Sequence, residues 1–299
     1  MQELIKAHRE LVENEDLVLP GLQSCQGCGA ALAMKLALAA LGPRTILAMP
    51  ASCWGVIIGG YPYSALKIPV VHLPFATAAV AASGIRAGLD ARGEKDVEVV
   101  AWAGDGGTYD IGLQALSGAA ERNADILFVC YDNEAYMNTG IQRSSATPMG
   151  AWTTTTPSGA LKQEPKKDME KIMLSHYVPY VATASVSFPD DLVAKFKKAK
   201  TIRGTRFIRI LAPCPPGWRI DSAKAVKVTR MATQCGIFPL YEVVDGKTRV
   251  TVRPRVKVPV RDYLAAQGRF SEMTDGMMES VQSWTDVRLK DLEEAEARS

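Results

Sequence analysis

The chain has 299 residues, 47% of them hydrophobic, and a formal net charge of +3. A chain of this length buries a large core and fits one large α/β domain with appendages better than two equal domains. Its basic residues are spread out, which leaves no electrostatic footprint for nucleic acid, and no uninterrupted apolar run approaches the roughly 20 residues of a membrane span. Residues 1–16 are polar and charged, unlike a secretory signal. They read as an exposed helical arm, and a cytoplasmic location is expected. In that compartment the six cysteines are expected as free, catalytic or metal-bound thiols rather than disulfides.

The first motif is Cys25-Gln26-Gly27-Cys28-Gly29, a Cys-x-x-Cys turn with glycines around it, followed by a small-residue helix over 31–41. An apolar run over 45–49 then leads to Ala51-Ser52-Cys53-Trp54-Gly55. Cys25 and Cys28 alone read as a redox pair. Joined by Cys53, they can take three corners of a cubane iron–sulfur cluster, because turns of small residues admit the inorganic sulfides. Four thiolates would also complete a zinc site. Candidates for the fourth are Cys130, Cys214 and Cys235. Cys130 falls inside a buried strand and reads as core packing. Cys214 lies in a Pro-rich loop after a strand, and Cys235 lies near a helix end. Loop backbone wraps a cluster more readily, which favours Cys214.

Residues 57–63 are a turn-rich connector. Residues 70–75 contain His72 between two aliphatic residues, and an alanine-rich helix over 76–90 follows, able to approach a strand or a cofactor closely. The stretch 97–102 is a buried strand by its β-branched content. Gly104, Gly106 and Gly107 then allow a tight turn and close approach to an anion. Asp105 stands among them at the carboxyl end of the strand, where open α/β sheets bind ligands. A helix over 111–123 and a second buried strand over 126–131 come next, the latter ending in Asp132 and Asn133. A carboxylate after one strand and an amide oxygen after the next can converge on one cation, and hard oxygen ligands suit Mg²⁺ holding a diphosphate.

Residues 147–168 hold three prolines and four consecutive threonines. A loop of this length in a compact chain is expected to be functional, covering a cofactor or packing on a partner. Strands over 180–184 and 205–211 flank a helix over 189–201, whose acidic start and lysine-rich end suit the helix dipole. Beyond Trp218 come an amphipathic helix over 221–234, a hairpin around Asp245-Gly246, and a charged, mostly helical tail over 260–299. The expected organisation is an α/β domain over 1–220, carrying the cluster loops, and an extension over 221–299.

The string Asp132-Asn133-Glu134-Ala135-Tyr136-Met137-Asn138-Thr139-Gly140-Ile141-Gln142, together with Ser144-Ser145-Ala146-Thr147-Pro148 and Gly150-Ala151, resembles the thiamine diphosphate-binding β subunit of 2-oxoacid:ferredoxin oxidoreductases of the pyruvate:ferredoxin type. The similarity spans roughly residues 19–242. It implies the thiamine diphosphate-binding fold, a mostly parallel sheet with helices on both faces. It also implies oxidative decarboxylation of a 2-oxoacid, pyruvate to acetyl-CoA and CO2, with electrons leaving through a 4Fe–4S cluster to ferredoxin.

The implied Mg²⁺ ligands are Asp105, Asn133 and a carbonyl at Ala135. The implied cluster ligands are Cys25, Cys28, Cys53 and Cys214, with Cys235 the alternative fourth. Gly104, Asp105, Gly106, Gly107, Asn133, Ala135, Tyr136, Asn138, Thr139 and Cys53 would surround the cofactor, with Asn138 and His72 at its reactive end. Implied partners are α, γ and δ type subunits of a hetero-oligomer, ferredoxin, coenzyme A and the 2-oxoacid. The glutamate that activates thiamine is expected on another subunit. A non-redox thiamine decarboxylase or synthase with a structural zinc is the alternative. Pyruvate, branched-chain, phenylglyoxylate and oxalate enzymes share this core, so the substrate stays open at this point.

Overall fold

The computed structural model describes residues 16–299, so the arm expected over 1–16 falls, but for Asp16, outside them. Eight strands form one sheet: β1 (Thr45–Pro50), β2 (Val70–Leu73), β3 (Glu98–Gly104), β4 (Leu127–Asp132), β5 (Tyr180–Ser185), β6 (Arg206–Leu211), β7 (Leu240–Val244) and β8 (Lys247–Val252). Their order is β2-β1-β3-β4-β6-β5-β7-β8. The first six run parallel, and β7 and β8 are antiparallel at one edge. The central strands are buried along almost their whole length, as parallel strands covered on both faces must be.

One face is covered by α1 (Gly29–Leu41) and by the helix Pro189–Ala199. Ala33 and Ala37 let α1 lie close to the sheet while Met34 and Leu38 fill the core beside Leu192 and Phe196. The other face is covered by α2 (Ala78–Ala91), α3 (Leu113–Glu121) and the short helix Met169–Leu174. Ala78, Ala79 and Ala82 meet Leu116, Ala119, Met169 and Met173 there. This is the doubly wound α/β architecture expected. The chain leaves β1 toward β2 on one side and returns to β3 on the other. The crevice at the carboxyl ends of β1 and β3 is therefore a topological switch point, where such folds bind ligands.

Two elements differ from their expected form. The glycines after β3 do not make a tight turn: a π-helical turn, Gly106–Asp110, leads directly into α3. A Cβ on Gly112 would stand 1.9 Å from the Gly107 carbonyl oxygen, so this wide coil needs glycine there. The charged tail is not a free extension. Its helix, Asp275–Ala297, lies back on the β7–β8 hairpin, where Glu296 accepts from the Val250 amide at 2.9 Å. The hairpin turns through Asp245 and Gly246, both with positive φ, and extends the main sheet.

Candidate active site

Asp105 follows β3 and is 1% exposed. Ser144 donates to its Oδ2 at 2.5 Å. Burial, reinforced by the charge of Asp132, nevertheless pushes the Asp105 carboxyl well above the usual carboxylate range. The Lys166 charge acts the other way without offsetting them, and a bound cation would add positive charge here. The Asn133 side-chain amide stands 2.8 Å from Asp105 Oδ1 and 2.9 Å from the Ala135 carbonyl oxygen. With its nitrogen inward it donates to both; with its oxygen inward, three oxygens face one another. Oxygens bound to Mg²⁺ at about 2.0–2.1 Å in an octahedron lie about 2.9 Å apart along an edge. The spacing matches, whereas Ca²⁺ would spread the same oxygens to roughly 3.3–3.7 Å. The three expected Mg²⁺ ligands thus stand next to one another, at spacings that a hydrogen-bonded amide or the edges of a Mg²⁺ octahedron would both give.

The surroundings fix this turn. Trp218 Nε1 donates to the Asn133 carbonyl at 2.9 Å. A Cβ on Gly106 would meet the Tyr136 ring at 2.2 Å, so only glycine lets the ring lie on the backbone. Tyr136 Oη donates to Asp110 at 2.9 Å. Asp132 and Glu134 are engaged elsewhere. Asp132 Oδ2 accepts from Tyr109 at 3.1 Å and pairs with Lys166 at 2.6 Å and Arg209 at 3.2 Å. Glu134, at a φ of 73°, pairs with Lys166 at 2.9 Å and Arg269 at 2.5 Å. This buried network, which joins the long loop to the turn carrying Asn133 and Ala135, was invisible in the sequence because Lys166 is one of many loop cations.

All ten residues expected around the cofactor line one cleft: 104–107, Asn133, Ala135, Tyr136, Asn138, Thr139 and Cys53. Asn138 and Thr139 are exposed at its rim. His72 is not brought in: it is exposed on the short edge strand β2 and does not line the cleft. Phe75, three residues on, lines it instead, as do Ser52, Tyr131 and Met137. Among the described residues lining the cleft, Asp105 is the only carboxylate.

Four cysteines gather beside it. The Gly29 amide donates to the Pro213 carbonyl at 2.9 Å. A Cβ on Gly29 would lie 2.2 Å from Pro213 Cδ, and one on Gly27 would lie 2.6 Å from the Ser222 carbonyl oxygen. The Cys-x-x-Cys turn and the Cys214 loop therefore touch backbone to backbone. Burial first, then Cys214 and Cys28, push the Cys53 thiol up to about 12. Burial first, with Cys28 and Cys25 adding to it, pushes Cys214 up to about 11. These thiols lie in one another's field, and they are free. A bound cation would favour their thiolates.

Among the described residues, no three His, Cys, Asp or Glu side chains close on a single ion position. Cys235 is elsewhere, its Sγ against the Ala232 carbonyl at 3.4 Å. Cys130 is buried in β4, in the core of the opposite sheet face from Cys53.

The fold and this cleft define a thiamine diphosphate-binding enzyme domain. The family described as "Thiamine pyrophosphate enzyme, C-terminal TPP binding domain" matches residues 57–210. Pyruvate synthase subunit PorB of Methanothermobacter thermautotrophicus is 48% identical over 284 residues, covering 94% of this chain and 99% of that one. Ketoisovalerate oxidoreductase subunit VorB of Pyrococcus horikoshii is 48% identical over 280 residues, covering 90% of each. A 2-oxoglutarate:ferredoxin oxidoreductase from Magnetococcus marinus shares the fold, with a TM-score of 0.56 at 22% identity, covering 90% of this chain and 87% of that one. The chain belongs to the 2-oxoacid:ferredoxin oxidoreductases, as their thiamine-binding β subunit.

Proposed function

We propose that this chain holds Mg²⁺–thiamine diphosphate and a 4Fe–4S cluster side by side, in an enzyme that oxidises pyruvate to acetyl-CoA and CO2 with ferredoxin as electron acceptor. The observation that carries the reading is one cleft lined by both the Asp105–Asn133–Ala135 oxygens and Cys53. Asp105, Asn133 and the Ala135 carbonyl hold Mg²⁺, and Gly106 and Gly107 leave the backbone open to the diphosphate. Cys25, Cys28, Cys53 and Cys214 hold the cluster, and Asn138 presents its amide to substrate at the rim. Bound there, thiamine diphosphate supplies an electron sink for decarboxylation, and the cluster supplies a one-electron outlet.

Asp105 is committed to the metal, so the activating carboxylate comes from a partner subunit, and the chain is inactive alone. We assign it to a cytoplasmic hetero-oligomer with α, γ and δ type subunits. No helix among its described residues is long and apolar enough to cross a membrane. Relatives named for pyruvate and for ketoisovalerate match at the same 48%, so both acids belong in the assay.

The test is iron, acid-labile sulfide and thiamine diphosphate on the anaerobically isolated complex, assigned to this chain. About four irons and four sulfides per copy, the content of a cubane, with CoA-dependent ferredoxin reduction by pyruvate, is the expected result. Zinc without sulfide would replace this reading with a non-redox thiamine decarboxylase.

A further inference from the structure

A second cavity, of about 280 Å³, borders the turn after β4. Glu134 lines it, whereas Asn133 and Ala135 line the cofactor cleft, and the two linings share no residue. The helix Asp275–Ala297 closes one side with Val281, Trp284 and Arg288. Their i, i+3, i+7 spacing puts them on one helix face. Phe238, Tyr263 and Phe270, all buried, bring three more rings to the wall.

Four charged side chains also reach this apolar wall: Lys166, Arg209, Arg288 and Glu134. Asp132, Glu170 and Asp168, which pair with the cations, do not line it. Among the described residues lining the cavity, three cations therefore face one carboxylate. Glu134 is already held, by Lys166 at 2.9 Å and Arg269 at 2.5 Å. Arg288 is held most loosely. It meets Asp168 at 3.5 Å, beyond the usual N–H···O length. Asp168 also accepts from the Lys171 amide at 3.0 Å, capping its own helix. The Arg288 guanidinium lies over the Trp284 ring at 4.7 Å, which keeps it beside the aromatic wall. Its side chain is 17% exposed, so an entering molecule can reach it.

We propose that this cavity binds a small apolar monocarboxylate, its body against the four rings and its carboxylate on Arg288. Small-molecule sites combine mostly apolar walls with a few placed polar groups, and this volume is near the lower end of their roughly 300–1,000 Å³. A carboxylate taken into such a place needs a paired cation, and the arginine fork matches it with two donors. A neutral molecule of the same shape would leave that fork with its distant partner. A second negative charge would meet Glu134. The inference does not depend on the cluster or on thiamine diphosphate.

The test is equilibrium dialysis of radiolabelled 3-phenylpropionate against the whole complex. Saturable binding of one molecule per copy of this chain is expected. Val281→Trp fills the cavity from the helix and should abolish it. Arg288→Met should weaken it about 10- to 150-fold, the loss of one charge-assisted hydrogen bond. The neutral amide, 3-phenylpropanamide, should bind wild type more weakly by a similar factor. Absence of saturable binding overturns the proposal. So does binding that survives both variants, which would belong to another site of the complex. Equal affinity for acid and amide overturns the assignment of a carboxylate. Should Val281→Trp fail to fold, Arg288→Met and the amide decide alone.

Discussion

The indole of Trp218 donates to the carbonyl of Asn133 at 2.9 Å. Trp218 ends the short helix that begins one residue after Cys214, and Asn133 begins the turn proposed to hold Mg²⁺, so one hydrogen bond ties the cysteine loop to that turn. Trp218→Phe keeps an aromatic ring in the core but removes the donor and part of the ring volume. Loss of such a bond costs about 1–3 kcal/mol, a roughly 5- to 150-fold weakening of Mg²⁺–thiamine diphosphate binding if the turn relaxes. Iron content is expected to be unchanged, because no thiol is touched. Titration calorimetry of the two proteins checks this, and equal affinities would mean that the turn holds its shape without the indole.

Asp105 carries the opposite kind of effect. Its carboxyl is pushed well above the usual range by burial and then by Asp132, so in the metal-free protein its charge opposes folding. A raised carboxylate pKa means stability present at acid pH and lost as pH rises from the unfolded value through the folded one. Metal-free Asp105→Asn is therefore expected to melt at or above the wild-type temperature at neutral pH, the gap closing toward acid. Mg²⁺–thiamine diphosphate should raise the melting temperature of wild type and leave the variant unmoved. A variant that melts well below metal-free wild type would show that Asp105 is structural.

The cysteines separate cleanly. Cys214→Ala is expected to lose most of the iron and sulfide, and Cys235→Ala to keep both, because Cys235 packs beside the Ala232 carbonyl far from the other thiols' influence. Gly29→Ala makes the same point without touching sulfur. Its Cβ would collide with Pro213, forcing the Cys-x-x-Cys turn off the Cys214 loop and lowering iron content. Full iron in Gly29→Ala would mean the two turns do not need their backbone contact.

How much of this was legible depended on where each residue sits. Asp105 and Asn133 could be read because ligand-type side chains stood at strand ends among glycines. Cys214 could be preferred to Cys235 because a Pro-rich loop differs from a helix end in sequence. Tyr131 could not be read: β4 carries no charge before Asp132, and nothing in its first five residues tells which side chain reaches a cleft and which fills the core. His72 drew attention as a titratable residue, yet β2 is a short edge strand and leaves it in solvent. The charge of Asp275–Ala297 suited a solvated tail, but Leu292 and Val281 on one side of that helix pack into the core clusters.

Lys166 gives the last prediction. It sits between two buried carboxylates, 2.6 Å from Asp132 and 2.9 Å from Glu134, and pins the loop over 147–168 to the turn that carries Asn133. Removing one partner of a buried ion pair costs about 3–5 kcal/mol, since an uncompensated charge is left inside. Arg209 and Arg269 still reach the two carboxylates, so Lys166→Met is expected at or somewhat below the lower end of that range. Lys167→Met is the control. Lys167 is 32% exposed, stands 3.9 Å from Asp110 and donates to the Tyr109 carbonyl, so its removal is expected to cost about 1–2 kcal/mol, less than that of Lys166.

Burial pushes the Glu134 carboxyl up, but Lys166 and Arg269 outweigh it and hold it below the usual range. Stability from a lowered carboxylate is present at neutral pH and lost as pH falls through the folded value, so the deficit of Lys166→Met should shrink on acidification. Urea unfolding of both variants across pH checks this. Equal midpoints for the two at neutral pH would mean that the buried network does not hold the loop.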